Sequence, residues 1–330
     1  MSSSRHLVIT LLLGVLLAAC QPRVATSFWR IGTPADSTRE GYAILTEGKK
    51  VRHCYPITEW RTTDEKEDVY HSLHHHGVAV ESELMAYRIY FDKKQTIDPY
   101  CKRKPQLELA QSHWYPNDSL LALGYGDDIL RVSGTVGVGS VKYWNGKKHV
   151  HIEPVSERSQ RIVSQKKNEA TIEVAVKGWI VPTANSQELT ADMSTRYTMH
   201  AGHRDLRCDV SLSEPVEGLC TGVQTIPAKR GSDTTTIILP NGVLLASWGT
   251  DWPVNDSAKY AKETVGLAVF VPYPYAGDIV RDKQNLLCLL KGANPHFYLT
   301  CVGATKENHP VARTAEEWLT YLRRWAKHLR

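Results

Sequence analysis

His71-Ser72-Leu73-His74-His75-His76-Gly77 places four histidines just ahead of a run that carries Glu81, Glu83, Tyr87 and Arg88. Histidine titrates near neutrality and is the commonest metal ligand, so His75 and His76 are candidate acid–base groups. Three consecutive histidines in an extended segment cannot all face one ion, because neighbours point to opposite faces. No H-E-x-x-H, C-x-x-C or EF-hand pattern accompanies them, so neither a metal nor another cofactor is expected. A second group is Asp127-Asp128 followed by Arg131, inside the glycine-rich stretch from Gly124 to Gly139. That stretch lacks the Lys-Ser/Thr of a phosphate loop and the strand and helix of a dinucleotide fingerprint. Its glycines are expected to admit close backbone approach in a turn or the wall of a cleft. Carboxylates beside such a loop suit hydroxyl binding or acid–base work on a sugar, although adjacent carboxylates on a strand diverge.

Aromatic residues beside polar ones form a third group: Trp114 and Tyr115 in His113-Trp114-Tyr115-Pro116-Asn117-Asp118, and Trp252 in Trp248-Gly249-Thr250-Asp251-Trp252-Pro253. Such segments suit a glycan cleft, with rings for stacking and Asp or Asn for hydroxyls. His203 and Arg204, with Arg196 and Arg207 nearby, add positive charge. Arginine reads carboxylates bidentately, which favours an acidic, uronic-acid-containing oligosaccharide as the ligand. The substrate-binding candidates are therefore Glu81, Glu83, Trp114, Tyr115, His203, Arg204 and Trp252. For a lyase, Arg88 or Arg131 would neutralise the uronate, with His75, His76 or Tyr87 as base or acid; for a hydrolase, Asp127 and Asp128 come first. There is no Gly-x-Ser-x-Gly elbow and no protease-type cysteine signature.

The elements that must position these residues are strands. Ala79 to Phe91 alternates over thirteen residues and reads as one long strand. Further strands are expected at Thr171–Lys177, Met193–Met199, Arg204–Leu212, Thr234–Leu239, Val243–Trp248, Val265–Val271, Leu286–Leu290 and His296–Val302. Asn241-Gly242 signals a hairpin between two of them. Only the C-terminus is clearly helical. Thr314 and Glu317 form a capping box, and Trp318, Leu322, Trp325 and Leu329 recur at helical spacing, so two tryptophans should pack on a sheet. The expected fold is all-β, a large antiparallel sandwich with a C-terminal amphipathic helix.

The 330 residues are 42% hydrophobic and 23% charged, enough for a full core. The net charge of +5 is spread along the chain, so no nucleic-acid partner is expected. A short positive start, the apolar run Leu7 to Ala19 and Leu17-Ala18-Ala19-Cys20 have the form of a signal peptide ending in a lipobox. Residues 1–19 are then cleaved, Cys20 carries the lipid, residues 20–40 form a tether, and 41–330 form a single domain. The lipid is the only expected membrane contact, and Gln21 after the cysteine favours the outer membrane, facing the periplasm. Six cysteines remain beyond Cys20, compatible with three disulfides or with buried thiols. Cys288–Cys301 and Cys208–Cys220 are the pairs favoured by proximity in the chain.

The chain resembles the bacterial family called domain of unknown function 4861. The resemblance is carried by His75-His76-Gly77, the run Glu81-Ser82-Glu83 to Asp92 with Gln95-Thr96-Ile97-Asp98, and Tyr115-Pro116. It continues through Gly126-Asp127-Asp128-Ile129-Leu130-Arg131-Val132-Ser133-Gly134, Trp248 to Pro253, and Thr314-Ala315-Glu316-Glu317-Trp318. It implies a secreted or lipid-anchored protein of glycan-degrading bacteria, folded like the supersandwich of galactose mutarotase and many polysaccharide lyases. It brings no catalytic residues with it. The expectation is thus a lipoprotein acting on uronic-acid oligosaccharides as lyase or glycoside hydrolase; the alternative is a non-catalytic carbohydrate-binding lipoprotein.

Overall fold

The computed structural model describes residues 23–47, 50–112, 116–183, 189–228, 231–254, 257 and 260–330. It is built of antiparallel sheets. The widest has ten strands, running from Pro227–Ala228 through Gly231–Leu239, Gly242–Asp251, Glu263–Pro272, His296–Gly303, Leu206–Leu212, Leu189–His200, Glu169–Val181 and Glu157–Gln165 to Glu59–Thr62. A first small sheet holds Val24–Ser27, Gly77–Ser82, Met85–Tyr90, Ile97–Cys101 and Asp127–Asp128. A second holds His149–Val150, Lys142–Trp144, Leu219–Gln224, Asn285–Leu290 and Ala276–Arg281. Trp29–Gly32, Lys50–Pro56 and Ala43–Glu47 make a three-stranded sheet beside them.

One apolar core joins the wide sheet to both five-stranded sheets. Ile172, Met199 and Leu267 from the wide sheet meet Val80 and Ile89 from the first small sheet and Val223 and Leu286 from the second. The all-β sandwich is therefore present, and every expected strand from Thr171 to Val302 is realised. Leu189–His200 shows why: Ala191, Met193, Tyr197 and Met199 enter the core while Asp192, Arg196 and His200 face water. Val265–Val271 lacks that alternation because both its faces are covered. Val265, Leu267, Val269 and Val271 enter the main core, while Ala268 and Phe270 meet Trp318, Leu322 and Ala326 of the helix Ala315–Ala326.

That helix starts as expected, with the Thr314 side chain accepting the Glu317 N–H at 3.2 Å. Its end is held by Asn241, whose Nδ2 donates to the carbonyls of Ala326 and Leu329 at 2.8 Å each. The Asn241-Gly242 hairpin forms with its turn one residue early, at Pro240 and Asn241, so that Gly242 already pairs with Leu239. A Cβ on Gly242 would stand 2.4 Å from the Val271 carbonyl oxygen, which is why glycine sits there. Among the described residues, no helix is long and apolar enough to cross a membrane.

Three expectations are corrected. Residues 24–32, read as part of a tether, belong to the fold: Val24–Ser27 pairs with Gly77–Ser82, Trp29–Gly32 pairs with Lys50–Pro56, and Val24 and Phe28 are buried. The polar composition of residues 20–40 masks these two anchors. The single strand Ala79 to Phe91 is a hairpin, turning at Glu83 and Leu84, where the Ser82 hydroxyl accepts the Leu84 N–H at 3.0 Å. The turn brings Glu81 onto the same face as Ala86 and Arg88.

The third concerns the cysteines. Cys54, Cys101, Cys208, Cys220, Cys288 and Cys301 are all free and buried. Cys208 lies in the main core of the wide sheet, whereas Cys220 points to the outer side of the second small sheet against Val136 and Leu287. Cys301 meets the Tyr87 hydroxyl, while Cys288 sits against Gly277 on the second small sheet. Burial pushes the Cys54 and Cys288 thiols up to about 11. Alkylation of the native protein should therefore leave these six thiols unmodified, and alkylation in guanidinium should label all six, as read by intact mass. Rapid native labelling of any of them, or a mass lacking hydrogen pairs, would contradict this arrangement.

Candidate functional site

Arg88 is the centre of the outer face of the first small sheet. In register, Arg88 stands opposite Asp98, and Tyr100 opposite Asp128, so three neighbouring strands place one guanidinium between two carboxylates. Arg88 Nη2 donates to Asp98 Oδ2 and Asp128 Oδ2 at 2.6 Å each, and the Tyr90 hydroxyl donates to Asp98 Oδ2 at 2.5 Å. All of these side chains are buried, with Arg88 2% exposed. Burial and the neighbouring Asp98 charge raise the Asp128 carboxyl well above its ordinary range. Burial likewise raises the Tyr90 hydroxyl well above its ordinary value.

Asp128 and Tyr90 form part of the lining of a cleft of about 690 Å³. The cleft is also lined by the segment from Leu130 to Thr135, by Thr225, Asp251 and Pro253, by Lys283 and Gln284, and by Tyr70 and Lys94. Tyr70 is held by His76, which stacks on it at 3.7 Å between ring centroids and shares a 3.0 Å hydrogen bond with its carbonyl oxygen. Tyr70 in turn meets Tyr90 edge-on at 5.2 Å. Burial drives His76 down to about 3, so it stays neutral at ordinary pH. Arg131 Nη2 stands 3.8 Å from Asp251 Oδ2. The cleft thus combines three cations (Lys94, Arg131 and Lys283), two carboxylates (Asp128 and Asp251) and two tyrosines. Cations at the rim suit an anionic ligand, tyrosine faces suit sugar rings, and a carboxyl group whose proton affinity burial raises suits proton donation.

Comparison with family models places this chain in a group: residues 31–330 match the domain of unknown function DUF4861. The chain belongs to the DUF4861 family. No curated protein matches it. In this DUF4861 protein the matched span includes Asp128, Arg131 and Asp251, which line the cleft, and Arg88 and Asp98, the buried pair joined to Asp128 through Arg88.

Of the candidates read from sequence, the DUF4861 fold puts Asp128 and Arg131 in the cleft lining, bonds the buried Arg88 to Asp128, and stacks His76 on the lining residue Tyr70. The others lie elsewhere. His75 is buried with Nε2 2.9 Å from the Leu109 carbonyl, and burial lowers it well below its ordinary value. Tyr87 faces the core and donates to the Arg204 carbonyl at 2.6 Å. Asp127 points to the opposite face from Asp128, toward Lys306 at 3.6 Å. Arg204 is clamped by Glu307, with contacts of 3.1 and 2.8 Å, and His203 lies at the surface beside Asp205. Glu83 accepts from Arg23 and from the Gly202 N–H. Trp252 lies beside the cleft under the Lys262 ammonium, 4.1 Å from its ring centroid. Trp114, Tyr115 and the lipidation candidate Cys20 fall outside the described residues. Among the described residues no group of three or more His, Cys, Asp or Glu is arranged to hold a metal.

Glu81 is part of a buried structural cluster. It pairs with Lys102 and accepts the backbone N–H groups of Glu108 and Leu109. Glu108 accepts the Gly126 N–H at 2.7 Å, and burial raises its carboxyl to about 7. A folded value above the unfolded one means a contribution that is full below about pH 4 and lost as pH climbs through 7. Glu108→Gln, which resembles the protonated form, should therefore match the parent near pH 4 and exceed it by roughly 2 kcal/mol near pH 9. Urea titrations at the two pH values check this, and a stability difference that does not change with pH would refute it.

Proposed function

We propose that the cleft binds uronic-acid-containing oligosaccharides and cleaves them, as a glycoside hydrolase or a lyase, in a lipoprotein attached to the cell envelope through Cys20, in the outer membrane facing the periplasm. The observation that carries the reading is the composition of the cleft: Lys94, Arg131 and Lys283 around two tyrosines, with Asp128 at its floor. Arg131 and the lysines would meet the uronate carboxylate. Asp128, whose proton affinity burial raises, would deliver a proton to the leaving glycosidic oxygen. Asp251, which also lines the cleft, would activate water in hydrolysis. The lipid attachment is supported by Leu17-Ala18-Ala19-Cys20 following an apolar run.

The test is incubation of the purified protein with pectic and glucuronate-bearing oligosaccharides, following both reducing ends and the absorbance of unsaturated uronates. New reducing ends without absorbance mean hydrolysis; both signals together mean elimination. Arg131→Ala should weaken binding about tenfold or more while leaving the fold intact, since Arg131 lies at the cleft surface. Silence in both channels across a broad panel, with no calorimetric binding, removes the proposal. One observation favours binding without cleavage: both Asp128 oxygens are already engaged, Oδ1 by the Leu130 N–H at 3.0 Å and Oδ2 by Arg88. Binding with no product on long incubation would establish that reading.

A further inference from the structure

Val24–Ser27 is already a strand of the fold, and Arg23 just before it is fixed in place. Its N–H donates to the Lys167 carbonyl at 3.1 Å, and its guanidinium pairs with Glu83, whose Oε2 also accepts the Gly202 N–H at 3.1 Å. Only Gln21 and Pro22 separate Arg23 from Cys20. Three residue steps span at most about 11 Å. A lipid on Cys20 therefore brings the end of the molecule that carries Arg23 to the bilayer surface.

Hydrogen bonds define what else lies at this end. The tip between Glu157–Gln165 and Glu169–Val181 carries Lys166 and Lys167, and its Asn168 carbonyl accepts the Ala201 N–H of the next tip at 2.9 Å. On the other side of Arg23, the Glu83 carbonyl accepts the Gln106 N–H at 3.1 Å, and two residues before Gln106 the Lys104 ammonium donates to the Leu123 carbonyl at 2.7 Å. Leu123 is 62% exposed. The carboxylates met here, Glu83, Glu169 and Asp205, are each already bonded, to Arg23, Lys166 and His203. Lys104 and Lys167 add positive charge beyond those pairs. Lysine stems lie along apolar surface while their ammonium groups reach outward, and an exposed leucine among them suits the boundary between headgroups and acyl chains.

We infer that this end is a membrane-docking surface: Lys104, Lys166 and Lys167 rest on anionic phospholipid headgroups, with Leu123 at the headgroup boundary. The inference rests on the attachment through Cys20 proposed above, and adds to it the orientation of the domain. The cleft is set back from the bilayer. In the hairpin of Gly77–Ser82 and Met85–Tyr90, the turn at Glu83 and Leu84 lies at the docking end, and Tyr90, which lines the cleft, lies about 17 Å further along the strand. Lys93 lies beyond Tyr90, in the turn that follows. An oligosaccharide in solution can thus reach the cleft while the protein sits on the membrane.

The test uses the acylated protein purified from membranes, placed in vesicles of phosphatidylethanolamine and phosphatidylglycerol that carry a nitroxide-headgroup quencher. A fluorophore on Asn168→Cys marks the docking end and one on Lys93→Cys the other; both positions are exposed, and the six native thiols beyond Cys20 are buried. Quenching should be about threefold or more stronger for the Asn168→Cys probe. Combining Lys104→Glu, Lys166→Glu and Lys167→Glu should lower the quenching of that probe about twofold or more at low salt, because like charges then face the phosphates. Equal quenching at the two positions would overturn the orientation, and a triple variant quenched like the parent would overturn the headgroup contact. An intact mass without a lipid on Cys20 would remove the attachment and this inference together, whereas equal quenching in a protein whose mass includes the lipid removes the orientation alone.

Discussion

Arg88→Met is expected to cost about 3–5 kcal/mol of stability near neutral pH, because it leaves Asp98 and Asp128 buried without their cation. The parent arrangement holds one guanidinium between two carboxylates, with Tyr90 donating to the same Asp98 oxygen. Methionine replaces the volume of the stem and supplies none of the donors. The sign of the pH dependence follows from the carboxylates. Their folded pKa values are already raised by burial, so their contribution to stability is full below their unfolded value and declines as pH rises through the folded one. Loss of Arg88 raises them further. The deficit of Arg88→Met should therefore be small near pH 4 and widen toward pH 8. Urea denaturation at both ends of that range measures it. A deficit that is the same at both, or smaller than about 1 kcal/mol throughout, would show that water or backbone groups solvate these carboxylates.

The same triad shows what could be read from sequence and what could not. Arg88, Asp128 and Arg131 were legible because each combines a charge with a strand or glycine-rich context suited to a cleft. Asp98 was not singled out, because its meeting with Arg88 depends on the register between Met85–Tyr90 and Ile97–Cys101. Tyr70, Asp251 and Lys283 come from segments far apart in the chain, and only the packing of three sheets brings them to one opening. Tyr90 carried a local signal, since it stands two residues after Arg88 and so shares its face. Glu81 and Arg204 misled for a related reason. A charge within a strand reads as a ligand contact until its partner is known, and here the partners are Lys102 and Glu307. The strands themselves were readable because β-branched and aromatic runs state a period and a length. The turn at Glu83 and Leu84 was not, because it uses a serine hydroxyl where glycine, proline or asparagine would have announced it.

Asp128→Asn separates the chemical role of this triad from its structural one. With Asp128 neutral, Arg88 still pairs with Asp98 at 2.6 Å, so no buried charge is left without a partner. The variant also removes a carboxyl whose folded pKa is raised, and therefore a contribution that falls away as pH rises. It should match the parent near pH 4 and be equal or slightly more stable above neutrality. The proposed proton delivery is a different matter, since an amide cannot give a proton to a leaving oxygen. Turnover of a uronate-bearing oligosaccharide should drop about 100-fold or more, with affinity changed only a few-fold. Asp127→Asn is the matched control: its carboxylate faces Lys306 on the other side of the strand, so turnover should stay within about threefold of the parent. Equal losses in the two variants would place Asp128 among the residues that only hold the fold. A loss confined to Asp128→Asn, with the fold at full strength, would identify the buried carboxyl at the cleft floor as the acid.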